Sequence, residues 1–371
     1  MSKKRSRQLD VATPPICRDE QVQQGLKRAI QCLLDCYQAT YQHLPEPVRF
    51  RAAGALAAWN EVLALAGQDA KILITLLNHP YYAPLDVRSA MGAFLEKFPV
   101  HDWHTPDGEL LKRHTSNGAD LLTFWHRNGA LIEPTQALHR LLEVSDIGME
   151  IPLALLRLPS PTLSIVVPPC LRDDPDGFNT VSIFEHLAHH EWGSSRCLTL
   201  VIHMEGRIST VVLDVVNDTE SIHEGLEIAL QRALIARGTS REMEVETPRL
   251  QRQISYVTKL LLYLSMDDAC IRHEQPYSTA TRLFTGLGQR KRVQRLAEIE
   301  QLYDRYIVGP PLLDQEQASH GLHDGADTHE VSAHWRRGHF RLQAHGPQAS
   351  LRKVLFIKPT LVRPDRLTDA A

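Results

Sequence analysis

The chain is poor in several things. Only 6% of its 371 residues are aromatic, six are cysteine, and the formal charge is −3. No run of about eighteen apolar residues occurs, so a membrane-spanning helix is not expected. The near-neutral balance gives no chain-wide basic field, so any contact with nucleic acid has to be local. Cys17, Cys32, Cys36, Cys170, Cys197 and Cys270 show no paired spacing. That argues against a disulfide framework and for a reducing cytosol. Cys32 and Cys36 stand four apart on an expected helix, but no second pair completes a zinc site. Buried small apolar side chains are the plainer reading. The G-x-x-x-x-G-K-[ST] loop, a strand-borne G-x-G-x-x-G and the G-x-S-x-G elbow are all missing. Gly286 and Gly288 in "FTGLGQRKR" precede basic residues without the phosphate-loop spacing. No catalytic signature is found and no cofactor is indicated. The start, "MSKKRSRQLD", is basic but no apolar segment follows, which argues against a signal peptide.

What is present is ordinary globular material: 43% hydrophobic and 23% charged residues, with length enough for two domains or one large one. The first 150 residues read as a helical region. "VQQGLKRAIQCLLDCYQATYQHL" carries Leu26, Ile30, Leu33 and Leu34 at helical spacing, and "PEPVRF" ends it. "VRFRAAGALAAWNEVLALAG" reads as a second helix ending at Gly67. Further helices are expected at 69–78, 85–97, 108–128 and 133–145.

From 151 to 308 the texture changes. "TLSIVVP", "NTVSIFEHL", "RCLTLVIHME" and "RISTVVLDVV" alternate and are β-branched, so strands are expected near 162–215, the last two forming a hairpin. Helices follow over 219–306, the first capped by Asp218 or Thr219. Residues 309–330 hold five acids and neither lysine nor arginine, the composition of a flexible acidic loop. A C-terminal β-hairpin is expected over 331–364, turning at "AHGPQAS" and packing on the preceding domain. The fold class is α+β: a helical N-terminal region, then a mixed sheet with flanking helices and a C-terminal hairpin.

Two basic clusters stand out. "RKRVQR" supplies Arg290, Lys291, Arg292 and Arg295, and 330–363 holds seven basic residues against one acid. Within it, "HWRRGHFRLQAHG" (334–346) reads as the outer strand of the hairpin. Strand alternation puts Trp335, Arg337, His339, Arg341 and Gln343 on a ligand-facing side, and His334, Arg336, Gly338, Phe340 and Leu342 on the other. Interleaved arginines and rings can neutralise phosphates and stack bases. The same arginines can fork onto carboxylates of a protein or peptide, with the acidic loop covering them until a partner displaces it. The plain alternative is a solvated charged face. His334, Trp335, Arg336, Arg337, His339, Arg341, Gln343 and Lys353, with Arg290, Lys291, Arg292 and Arg295, form the candidate RNA- or partner-binding set.

Two weaker constellations complete the inventory. "FEHLAHHEW" (184–192) gathers His186, His189 and His190 with Glu185 and Glu191. Two of the histidines could share a helical face around a divalent metal, although the segment also reads as a strand. "HDWHTPDG" (101–108) places His101, Asp102 and His104 in a turn, an acid–base site or simply a capped loop. Asp214 and Asp218 flank a strand end without an identifiable partner.

The string H-W-x-R-G-H-[FW]-R-x-Q, followed by a G-P turn and an apolar-I-x-P strand, resembles the large anti-CRISPR family of type V-A inhibitors found on phages and plasmids. Within it, the resemblance is to the group acting on production of the effector nuclease. It is sharpest over 334–364 and extends more loosely to "KLLLYLS" and the strand block at 162–215. The residues that fit are His334, Trp335, Arg336, Arg337, Gly338, His339, Phe340, Arg341, Gln343, Gly346, Lys353 and Pro359. The resemblance implies a cytoplasmic, mobile-element protein that reads a nascent polypeptide, with loss of the encoding mRNA and contact with mRNA or ribosome. It implies no catalytic role for any residue. A metal-dependent nuclease using residues 185–191, and a phage or plasmid interaction module without catalysis, are the alternatives.

Overall fold

The computed structural model describes residues 18–98, 100, 106–167, 180–191, 193–204, 207–216, 219–237, 242–311 and 334–362. The chain opens with helices α1 (Arg18–Asp35), α2 (Glu46–Ala52), α3 (Ala55–Ala66), α4 (Lys71–Asn78), α5 (Pro84–Lys97) and α6 (Pro106–His126). Apolar spacing explains the first: Val22, Leu26, Ala29, Ile30 and Leu33 are all buried on one face of α1. The second expected helix is broken in two at Gly54, whose φ of +79° is left-handed and ends α2 before α3 begins. These helices pack on one another around Trp59, Phe50, Leu33 and Met91.

Two strands fall inside the stretch read as helical, β1 (Ala130–Pro134) and β2 (Ser145–Ile147), with α7 (Gln136–Glu143) between them. Short apolar runs such as "ALIEP" look alike in helices and buried strands. What makes β1 a strand is parallel pairing with segments far along the chain. The expected strand block forms β3 (Thr162–Val166), β4 (Thr180–His190), β5 (Gly193–Met204) and β6 (Arg207–Val215). After it come α8 (Ile222–Arg237), α9 (Glu242–Leu264), β7 (Ile271–Glu274), α10 (Gln289–Glu300) and β8 (Arg305–Val308). A seven-stranded mixed sheet runs β6-β5-β4-β3-β1-β8-β7, parallel only where β1 meets β3 and β8. The β5–β6 hairpin is as expected, with Met204 opposite Arg207. The cap of α8 lies slightly later than expected. Glu224 Oε2 accepts from the Ser221 amide at 2.9 Å and Ser221 Oγ from the Glu224 amide at 3.2 Å, a capping box, while Asp218 lies outside the described residues.

The sheet is covered on both sides. Leu163, Ile165, Val181, Ile183, Leu198, Leu200, Ile202 and Leu213 project toward α7, α8 and α9 and form the largest core. On the other side Val166, Phe184 and Val201 meet Val48 of α2 and Phe124 of α6.

The C-terminal strands are β9 (His334–Arg336), β10 (Gly338–His345), β11 (Leu351–Ile357) and β12 (Thr360–Val362). The expected hairpin is present: β10 and β11 are antiparallel with Phe340 opposite Phe356 and Gln343 opposite Lys353, and Gly346 turns the chain with φ +75°. β9 and β12 continue the pairing, with Trp335 opposite Leu361. The "HWRRGHFRLQAHG" strand is not the outer one, however. β10 is central in a three-stranded sheet, flanked by β11 and, in parallel, by β2. Three residues of "SDI" carry too little pattern to announce that pairing. Residues 312–333, most of the expected acidic loop, lie outside the described residues.

Candidate functional site

Between α7, β2, α8 and α9 opens a groove of about 1240 Å³. Helix α8 carries one broad apolar stripe. Ile222, Ala229 and Ala233 are buried in the sheet core, and Leu226 and Leu230 pack at its edge and, with Leu234, line the groove. Met149, 70% exposed, stands at the groove's edge. Around this apolar floor the rim is charged: Glu143, Asp146 and Glu227 supply acid, Arg252 and Lys259 base.

Several of these groups are held in place. Lys259 Nζ donates to the Leu142 carbonyl at 3.0 Å, and burial lowers the lysine pKa. His223 Nε2 lies 3.0 Å from the Ile147 carbonyl, which fixes that nitrogen as the donor. His139 is buried, its Nε2 3.0 Å from Glu143 Oε1 and its ring 5.1 Å from that of Tyr256. Burial lowers its pKa despite the glutamate. A groove of this volume, apolar with convergent polar groups, suits an extended or helical polypeptide segment.

The C-terminal hairpin adjoins the groove through β2, because Asp146 and Ile147 both line the groove and pair with His339 and Phe340. Arg337, 79% exposed, reaches within 4.0 Å of Asp146. Glu150, just past β2, accepts from the Leu342 amide at 3.1 Å. Backbone donors and nearby His339 hold its carboxyl below the usual range. The alternation expected for β10 is present where side chains are described. Phe340 is fully buried and stacks on Phe356 at 4.6 Å, while Arg337 and Arg341 are exposed and His339 and Gln343 half-buried. Leu342 faces Val354 on the core side, and Lys353, opposite Gln343, is exposed. The side chains of His334, Trp335 and Arg336 lie outside the described set.

Part of the sequence motif is therefore architecture. A Cβ on Gly338 would come within 2.5 Å of Ser145 Oγ and 2.8 Å of Pro359 Cδ, so only glycine lets β2 and the end of β11 close on β10. Phe340, Gly346 and Pro359 belong to the same framework. Arg337, Arg341 and Lys353 are exposed and His339 and Gln343 half-buried on the same sheet.

The remaining candidates separate. Arg290, Lys291, Arg292 and Arg295 sit on α10, which connects β7 and β8 at the edge of the large sheet opposite β6, whereas the hairpin belongs to the three-stranded sheet. "FEHLAHHEW" is strand, not helix, through His190, so His186 and His189 point to opposite faces. His186 is buried 2.8 Å from Thr199 Oγ1, and His189 bonds Ser194 Oγ at 2.8 Å. The His190 side chain is not among those described. Among the described residues no group of three or more His, Cys, Asp or Glu side chains is placed to hold a metal ion. His101, Asp102 and His104 lie outside the described residues. Asp214 accepts from Ser195 Oγ at 2.5 Å. Cys36 donates to the Cys32 carbonyl and burial pushes its thiol to about 12, the state of a structural cysteine. No described helix is long and apolar enough to cross a membrane.

Residues 132–364, from β1 to just past the end of the hairpin, match the model of the AcrVA2-like family, the anti-CRISPR type V subtype A2 family. The chain belongs to the AcrVA2-like family. Membership supports an anti-CRISPR function in general. Among solved structures, a crystal structure of AcrVA2 aligns with 83% of this chain and 97% of its own at 14% identity, with a TM-score of 0.44. No curated protein matches the chain. The family match includes the groove and hairpin and omits α1–α6. The groove went unnoticed in the sequence because its residues come from four elements. The one local signal was the width of the apolar stripe on α8, which Leu226, Leu230 and Leu234 extend beyond Ile222, Ala229 and Ala233.

Proposed function

We propose that this AcrVA2-like protein is a cytoplasmic inhibitor that recognises a specific polypeptide, a CRISPR effector in its nascent form, and suppresses its production with loss of the encoding mRNA. The observation that carries the reading is the shared strand β2, which lines the peptide-sized groove on one side and zips to the cationic strand β10 on the other. A polypeptide held in the groove would thus bring its translating message to Arg337, Arg341 and Lys353. Local rather than global positive charge suits this task, since a basic protein would bind RNA indiscriminately. A modified form of the open helix-in-groove mode accounts for the apolar floor and charged rim.

The test is cross-linking and sequencing of RNA bound to the tagged protein in cells expressing a type V-A effector. Wild type is expected to enrich the effector message. Arg337→Ala/Arg341→Ala should reduce RNA recovery at least ~10-fold, as loss of several phosphate contacts does. Glu227→Lys/Asp146→Lys should lose selectivity for that message while still cross-linking. Uniform background in wild type and both variants would sink the proposal.

A further inference from the structure

The β7–β8 connection, residues 275–304, is clamped at its base and exposed at its tip among the described residues. Its base is clamped from two sides. Arg51 of α2, with a side chain only 8% exposed, lies 3.7 Å from the Tyr277 ring centroid and 5.0 Å from that of Trp125. It also reaches Glu300 Oε2 at 3.3 Å and donates to the carbonyls of Glu300 and Leu302. Asp304 accepts from the amides of Tyr277 at 2.9 Å and Ser278 at 3.1 Å. Further out, Arg292 Nε donates to the Leu287 carbonyl at 2.7 Å, joining α10 to its leading loop.

Beyond that clamp, Gln289–Glu298 is exposed throughout, and Ile299 is the one buried residue of α10. Leu283 is 84%, Val293 62% and Leu296 43% exposed, and Val293 and Leu296 share a helix face. Basic residues are their neighbours along the chain: Arg282, Arg290, Lys291, Arg292 and Arg295. The two acids of α10 are already engaged, Glu298 by Arg295 at 2.7 Å and Glu300 by Arg51. Arg290 and Lys291 have no acidic partner among the described residues. The first turn of α10 holds three cations and no acid, an arrangement that opposes the helix dipole. Such a local conflict is costly to keep unless something compensates it.

We propose that this connection is a docking surface for an acidic, amphipathic segment of a partner protein. Its carboxylates would meet Arg290 and Arg292, which flank the apolar face of α10, and its apolar side chains would cover Leu283, Val293 and Leu296. The exposed apolar groups decide between protein and nucleic acid. They are aliphatic, and aliphatic side chains offer bases nothing to stack on. The rings of this segment are less open than the aliphatic groups: Tyr277 is already held by Arg51 and Arg282, and Phe284 and Tyr303 are partly buried. Rigidity at the base lowers the ordering cost of such an encounter.

The experiment is fluorescence anisotropy on the full chain with three labelled probes: an amphipathic helix of glutamate and leucine, the same peptide with lysine for glutamate, and a short single-stranded RNA. The acidic peptide should bind in a salt-dependent way. Arg290→Glu/Lys291→Glu/Arg292→Glu and Leu283→Ser/Val293→Ser should each weaken it at least ~10-fold, as loss of interface anchors does. All five side chains are exposed, so unchanged thermal melts are expected and confirm folding; milder alanine versions replace any variant that melts early. Equal binding of the lysine peptide, or no binding of the acidic one, would overturn the proposal. So would RNA binding lost on charge reversal but kept in Leu283→Ser/Val293→Ser, which would make the surface a nucleic-acid contact.

Discussion

The two faces of the seven-stranded sheet are equally dry and differ in chemistry. Toward α8 and α9 stand Leu163, Ile165, Val181, Ile183, Leu198, Leu200, Ile202 and Leu213, each fully or almost fully buried. Toward the N-terminal helices the same strands turn Thr162, Ser164, Thr180, Ser182, His186, Ser195, Thr199 and His203, and these are buried too. The apolar face holds its helices by area removed from water, which is strong and non-directional. The more polar face keeps one small apolar cluster, Val166, Phe184 and Val201 against Val48 and Phe124, and holds α2, α5 and α6 through directional anchors as well. Arg88 forks onto the buried Asp120 at 2.6–3.1 Å and reaches Thr210 Oγ1 at 3.2 Å. His203 Nδ1 lies 3.0 Å from Glu46 Oε2, whose other oxygen accepts from Asn117 Nδ2 at 2.9 Å. The family match takes in the apolar side, the groove and the hairpin, and leaves out the helices seated on the polar side. The first attachment tolerates repacking, and the second demands particular partners.

That contrast can be broken from the polar side first. Asp120→Ala strands a buried guanidinium and should cost about 3–5 kcal/mol. Arg88→Met/Asp120→Leu, which removes both charges, should recover most of that in urea melts. A double variant as unstable as the single one would mean the anchor is not an ion pair in energetic terms. On the apolar face, Leu200→Ala should cost about 2–5 kcal/mol through lost burial and a cavity. Leu200→Met should cost well under half as much, since that face asks only for volume. Smaller still is Thr199→Val, which keeps shape but leaves His186 Nε2 without its 2.8 Å partner. About 1–3 kcal/mol is expected from the unsatisfied buried group.

The alternation that makes both faces was legible in the sequence. "TLSIVV" and "NTVSIFEHL" announced strands because Thr and Ser alternate with Ile, Val and Leu. The same pattern hides what covers the polar face, since alternating polar residues ordinarily meet water. The helical layer read well for a similar reason: α1 buries one clean stripe. Gly54 was legible as glycine but not as the break between α2 and α3. In the C-terminal motif, period two correctly separated Phe340 from Arg341. It could not tell that Gly338 and Pro359 are there for close packing, or that β2 makes β10 central. The groove was least legible, because Asp146, Leu226 and Lys259 become neighbours only after three connections have folded. Metal chemistry at 185–191 was suggested by composition, and strand geometry sends two of its histidines to opposite faces.

The last way to separate the faces is pH. Burial lowers the pKa of His186, with Arg127 adding to the effect and Asp86, Asp214 and the Leu187 backbone opposing it. Burial also lowers that of His114, against the opposing pull of Glu46; its ring lies 4.7 Å from that of Tyr37. For a histidine whose folded pKa lies below the unfolded value of about 6.5, the unfolded chain binds more protons as pH falls. Its contribution is complete above about 6.5 and is lost on acidification through the depressed folded value, at no more than about 1.4 kcal/mol per pH unit per histidine. Asp120 has the opposite sign. Burial raises its carboxyl above the usual carboxylate range despite Arg88, so its contribution fades as pH rises through the raised value. Urea midpoints measured between mildly alkaline and mildly acidic pH should therefore fall on acidification, and His186→Gln should flatten part of that fall while leaving the Arg88–Asp120 pair in place. Leu200→Ala touches no titratable group, so its curve should run parallel to that of the wild type. If His186→Gln also runs parallel, the polar face is not where the protein senses acid, and His139 beside the groove, also depressed by burial, becomes the group to replace next.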